Sequence, residues 1–227
     1  MTSHIVSGII QHEMKGDDAM NLPELPDKLG VVLRETGWNL PCPDQVSYYE
    51  LEKERKLYVE GEIDSSVLAL QRLILRWNSE DKGIPREDRR PIRLYIWSRG
   101  GDVDSMWSLI DTIELSGTPV YTVNVGMAES AAALIFLAGH RRYMLPRAHL
   151  MIHEGSAKMV GDSVKVLDAS ENYRKTIQKM REYILSRTRI SASVLGKQKN
   201  HDWEIDAKYC LEHGACEEIV TGLDDVI

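Results

Sequence analysis

The run SAAALIFLAG, residues 130 to 139, constrains this chain more than any other stretch. From Ala131 to Ala138 it is apolar on every side, so as a helix it has no face to show to water and has to be enclosed by other elements. It follows PVYTVNV, which is rich in Val and Thr and reads as a strand. The same order, strand then helix, recurs along the chain. KLYVEGEID reads as a short strand closed by Gly61, with Asp64 placed to cap a helix through SSVLALQRLILRW. Val67, Leu70, Ile74 and Trp77 fall on one face of that helix. IRLYIWS reads as a strand, RGG as a tight turn, and VDSMWSLIDTIEL as a helix with Val103, Met106, Ile110 and Ile113 in register. RRYMLP and HLMIH read as short extended pieces. A long amphipathic helix is expected from about Asp162 to Arg189, with Val166, Tyr173, Ile177, Met180 and Ile184 along one side. A short helix near Asp206 to His213 ends at Gly214, and CEEIV reads as a last strand. Alternation of this kind specifies an α/β fold with mostly parallel pairing.

A chain of 227 residues is long enough for one large domain or two small ones. At that size about 70% of the unfolded surface is buried, so the core needs no covalent staples. Four of the eight prolines (Pro23, Pro26, Pro41, Pro43) lie before residue 45, so residues 1–45 are expected to form an irregular or partly disordered extension to a folded domain over 46–227. The formal net charge of −7, with only short basic clusters (Arg89-Arg90, Arg141-Arg142), argues against a nucleic-acid partner. Three cysteines (Cys42, Cys210, Cys216) without a Cys-x-x-Cys fit neither a disulfide framework nor a zinc knuckle and suit a reducing compartment. The first residues lack a basic start followed by a long apolar stretch, and no run approaches the ~18 apolar residues of a membrane span. A cytoplasmic protein without a membrane partner is the expectation.

The chemistry centres on Ser130. A strand leads into Gly126 and a helix of small residues opens at the serine, which puts its hydroxyl at a helix N-terminus, where unpaired N–H groups favour developing negative charge. The amide of Ala131 is then a natural oxyanion donor. Serine at such a position is equally a good N-cap. A second glycine turn, SRGGDV, also lies between strand and helix; Gly101 is placed to supply a second amide and to hold one side of a substrate. A phosphate cradle is a poor alternative, since neither Gly-x-Gly-x-x-Gly nor a Lys-Ser/Thr ending follows. A serine nucleophile needs a base. His4 and His12 lie in the expected extension, whereas His149 and His153 bracket the apolar Leu-Met-Ile. Their spacing of four does not make a metal site: the segment reads as extended, and position 157 is alanine where the zinc-protease His-Glu-x-x-His requires histidine. The imidazole needs an orienting carboxylate, and spacing leaves Asp162, Asp202 and Asp206 open.

Taken together, SRGG (98–101), GMAES (126–130), LPRAHLMIHEG (145–155) and DWEIDAKYCLEHGACEEI (from Asp202) resemble the ClpP family of self-compartmentalising serine proteases. The similarity runs from about residue 48 to the end. It implies a ClpP/crotonase-like spiral of ββα units with a protruding helical handle at about 155–200. It implies Ser130 as nucleophile, His153 as general base and then acid, and Asp202 as the orienting carboxylate, with Gly101 and Ala131 amides as the oxyanion hole. Gly100, Gly155, Ser156 and Ala157 would line the substrate. No cofactor and no metal are implied. The partners implied are copies of the same chain in a heptameric ring or stacked rings, an AAA+ unfoldase, and a peptide or unfolded protein as substrate. A non-catalytic ring subunit and a crotonase-like acyl-CoA enzyme are the alternatives. The chain departs from the family pattern at Arg99, where proline is usual, at Ala157 and Lys158, where glycines are usual, and at Glu129, where a small residue is typical. Glu129 and Glu154 would raise the pKa of His153 if they pointed inward.

Overall fold

The computed structural model describes residues 50–155, 157–199 and 201–227; the extension expected over 1–45 and Ser156 lie outside them. Strand β1 (Lys56–Ile63) leads through helix α1 (Val67–Glu80) to β2 (Ile92–Gly101), and α2 (Val103–Glu114) leads to β3 (Val120–Glu129). Helix α3 (Ala131–Ala138) follows directly, then β4 (Arg141–Met144) and β5 (His149–Ile152). The chain continues through α4 (Ser163–Arg187), α5 (Ala192–Lys197), β6 (Trp203–Asp206), α6 (Ala207–Glu212) and β7 (Glu218–Ile219). The sheet order is β1-β2-β3-β4-β7, parallel at every step. Strand β3 branches. Tyr121 to Asn124 pair with β4, and Met127 to Glu129 pair with β5, also in parallel. Strand β6 runs antiparallel to β5.

All eight residues of α3 are buried, as an all-apolar helix requires. Around it pack α2 with Met106, Leu109, Ile110 and Ile113, one face of the sheet, and α4, while α1 lays Val67, Ile74 and Trp77 into the same core from beside α2 and β1. Burying a side chain such as Phe136 or Leu134 stabilises the fold by about 1.5–3 kcal/mol. Gln71 is the polar exception on the inner face of α1. Its amide donates to Ser108 Oγ at 2.7 Å and Thr112 Oγ1 at 3.0 Å, which ties α1 to α2 without leaving a buried group unpaired. A smaller cluster of Tyr95, Val123, Tyr143, Val220 and Val226 covers other ground on the sheet.

Four local expectations change. Gly61 does not close β1: the strand bulges between Glu60 and Glu62 and pairs on to Ile63. Asp64 does not cap α1; its carboxylate accepts from Ser66 N–H at 2.8 Å in the turn before the helix. RGG is not a tight turn, because β2 stays paired with β1 through Gly101. A strand, β6, stands just before the short C-terminal helix. Helix α4 matches expectation in length, but only Met180 and Ile184 are buried, both in its second half. Val164 and Leu167 in its first turns are 64% and 69% exposed.

Candidate active site

The register of three strands brings the chemistry to one corner. In the β3–β5 ladder Glu129 stands opposite Met151, so Ser130, one residue on, and His153, two residues on, emerge from the ends of parallel neighbours. Ser130 N–H donates to Met151 O at 2.8 Å across this junction. In the antiparallel β5–β6 ladder Ile152 faces Trp203, so one further step along each strand sets His153 beside Asp202. The resulting contacts are His153 Nε2 to Ser130 Oγ, 2.7 Å, and His153 Nδ1 to Asp202 Oδ1, 3.2 Å. Of the three aspartates left open by spacing, Asp162 and Asp206 are occupied as helix caps, accepting from Lys165 N–H at 3.0 Å and Tyr209 N–H at 2.7 Å. That capping holds the Asp162 carboxyl below its usual range. Asp202 remains, with its side chain 74% exposed.

Ser130 occupies the N-cap position of α3 yet makes no side-chain capping bond. The capping explanation of this serine therefore does not describe it; its hydroxyl is turned to the imidazole. Its φ of 55° is one of two positive values at non-glycine positions among the described residues. Backbone in such regions costs about 1–3 kcal/mol and persists where surrounding structure holds it.

Gly100 and Gly101 close the other side of the corner. A Cβ on Gly100 would lie 2.8 Å from Glu129 O and Ser130 Cβ and 2.9 Å from Ala131 N, so the end of β2 touches the start of α3 through a site only glycine fits. Gly101 presses on the Ile63 backbone in the same way. Both glycines line an open cleft with Glu62, Trp97, Arg99 and Met127. Beyond His153, a crevice between β5, α4 and α5 is lined by Ile152, Ile177, Met180, Ile184 and Leu195.

The segment after His153 leaves the sheet. Gly155 and Ala157 are exposed and belong to no strand, and Glu154 is held against α4: Tyr173 Oη donates to its carbonyl at 3.0 Å and Arg181 Nη1 pairs with its carboxylate at 2.9 Å. The Glu129 carboxylate is also engaged away from His153, 3.1 Å from His149 Nε2. The two acidic neighbours are thus held by other partners. Asn124, which sequence reasoning did not single out, is fully buried where β3 branches; its Nδ2 donates to His149 O at 2.8 Å and its Oδ1 accepts from Gly126 N–H at 3.0 Å. A lone asparagine inside a Val/Thr-rich strand was its only signal.

A parallel sheet wound with helices, with an antiparallel β5–β6 pair carrying the imidazole and carboxylate, is a ClpP/crotonase-like fold. Residues 44–222 match the family model described as Clp protease. ATP-dependent Clp protease proteolytic subunit 2 of Treponema pallidum is 28% identical over 182 residues, 78% of this chain and 87% of that protein. The protein of the same name from Treponema denticola is 28% identical over 177 residues (76% and 84%), and that from Borreliella burgdorferi 30% over 171 residues (74% and 83%). The chain belongs to the Clp protease family, as a divergent member. Among the described residues no helix is long and apolar enough to cross a membrane.

Proposed function

We propose that this chain is a serine endopeptidase that cuts peptides or unfolded proteins inside an oligomeric ring. The observation that carries the reading is the pair of contacts on one imidazole, Ser130 Oγ at 2.7 Å and Asp202 Oδ1 at 3.2 Å. Ser130 Oγ attacks the scissile carbonyl while His153 Nε2 takes the hydroxyl proton. Asp202 keeps the other ring nitrogen protonated and oriented. Negative charge on the carbonyl oxygen is met by the amides of Gly101 and Ala131, the latter opening α3. As the C–N bond breaks, His153 returns the proton to the leaving amine. Water then attacks the acyl-enzyme with His153 again as base, releasing the new carboxyl end and restoring Ser130. Gly100, Gly155, Ser156 and Ala157 line the bound peptide in this reading.

The relatives are named proteolytic subunits of an ATP-dependent protease, which supports assembly into rings and an AAA+ unfoldase as partner. The exposed Val164 and Leu167 on α4 are suited to burial between copies. Hydrolysis of a fluorogenic peptide by the wild type and by Ser130→Ala, with sedimentation of both, tests the proposal. The expected result is loss of hydrolysis in the variant with the same ring-sized species in each. Hydrolysis retained by Ser130→Ala overturns the nucleophile assignment, and a wild type that stays monomeric at micromolar concentration overturns the ring.

A further inference from the structure

Glu129 and His149 make a second imidazole–carboxylate contact, one residue upstream of Ser130. Glu129 Oε1 lies 3.1 Å from His149 Nε2, and the side chains are 17% and 33% exposed. The acyl-transfer steps use neither group. Their position gives them another role. The ladder joining β3 to β5 has three register pairs, Met127 with His149, Ala128 with Leu150 and Glu129 with Met151, closed by the Ser130 N–H to Met151 O bond. The Ser130–His153 contact is therefore a contact between two strands joined by a short ladder. A slip of one residue would present Ile152 or Glu154 to the serine in place of His153.

His149, the first residue of β5, is held twice. Its carbonyl accepts from the buried Asn124 amide at 2.8 Å, and its ring meets Glu129. Across the sheet its register partner is Asp206, whose carboxylate is committed to the cap of α6, with Tyr209 N–H at 2.7 Å. Glu129 is thus the carboxylate that engages the ring. It is also the residue immediately before the positive-φ Ser130, where backbone strain needs external support. We infer that Glu129 and His149 are positioning residues: their side-chain contact fixes the register of β5 on β3 and sets the approach of His153 to Ser130. The inference rests on the serine-peptidase reading above.

The test compares Glu129→Ala, His149→Ala, the double variant and Glu129→Gln on a short fluorogenic peptide. Each alanine variant is expected to lose ~10–100-fold in kcat with KM within ~2-fold, the size of effect that a misplacement near 1 Å brings. The double variant should fall no further than the weaker single, because both singles break one contact. Glu129→Gln keeps an oxygen to accept the ring N–H and should stay within ~3-fold of wild-type kcat. Unchanged kcat in the alanine variants, multiplying losses, or a Gln variant as impaired as Ala each overturns the brace. If an alanine variant fails to fold, nitrogen NMR of the wild-type imidazole decides: a proton on His149 Nε2 is expected, and a ring protonated on Nδ1 alone overturns the contact without any activity being needed. A wild type that hydrolyses nothing sinks the peptidase reading. An active wild type with equally active alanine variants sinks this inference alone.

Discussion

Replacing Gly100 by alanine tests how the end of β2 is fitted to Ser130. At φ +98° an alanine carries strain of about 1–3 kcal/mol. Its Cβ would also lie 2.8 Å from Glu129 O and Ser130 Cβ and 2.9 Å from Ala131 N. Ordinary contact begins at 3.4 Å, so these atoms have to give by roughly 0.6 Å. None is the far end of a flexible side chain; all belong to the nucleophile's own elbow and the amide beside it. Displacement on that scale is expected to lower kcat by ~100-fold, while urea unfolding shows a loss of about 1–3 kcal/mol. Gly83→Ala is the control. It has a similar φ, +91°, but nothing within 4 Å of the added carbon, so it should lose stability and keep full kcat. Wild-type kcat in Gly100→Ala, measured on a fluorogenic peptide, would refute the fit between these glycines and the serine.

Other expectations follow from named contacts. Asp202→Ala should lower kcat only ~10-fold, because a carboxylate 74% exposed is screened by water, in contrast to the ~10⁴-fold loss when a buried triad aspartate is replaced; a loss of that larger size would show that Asp202 is buried in the working assembly. Asp81 is buried between Arg55 Nη1 at 2.7 Å and Thr118 Oγ1 at 2.8 Å, and the Arg55 bond holds its carboxyl below the usual range. A depressed carboxylate stabilises the fold above its unfolded pKa and ceases to as pH falls through its folded value. Asp81→Asn should therefore cost about 3 kcal/mol at pH 7, with the gap to wild type closing below about pH 4; a gap independent of pH would contradict this. Cys210 and Cys216 are free and buried, and burial pushes both thiols up, Cys216 to about 11. Peptide mapping after thiol alkylation at pH 8 should find both unmodified in folded protein, and modification of either while the fold persists would contradict their packing.

The fold was legible where a pattern was long. The all-apolar α3 and the one-sided α1 and α2 announce themselves because a helix of eight or more residues samples its whole circumference. Four-residue β6 does not: Trp-Glu-Ile-Asp has too few positions to separate strand from loop, and it abuts the Asp206 cap of the next helix. The glycines misled for a physical reason. Gly61, Gly100 and Gly101 mark irregular φ, which sequence reads as a turn, but here the strands continue through a bulge and a close approach. At the site, Ser130 was marked by its strand-to-helix setting. The choice among Asp162, Asp202 and Asp206 was hidden because it depends on β5–β6 register, a contact between segments some fifty residues apart. The commitments of Glu129 to His149 and Glu154 to Arg181 were hidden likewise, since each partner lies on another element.

The most direct measurement is the site of reaction with a fluorophosphonate, read by intact mass and peptide mapping in wild type and His153→Ala. The expected result is a single adduct on Ser130 that fails to form in His153→Ala. An adduct on another residue, or equal labelling of Ser130 without the imidazole, would contradict an activated serine at the end of β3.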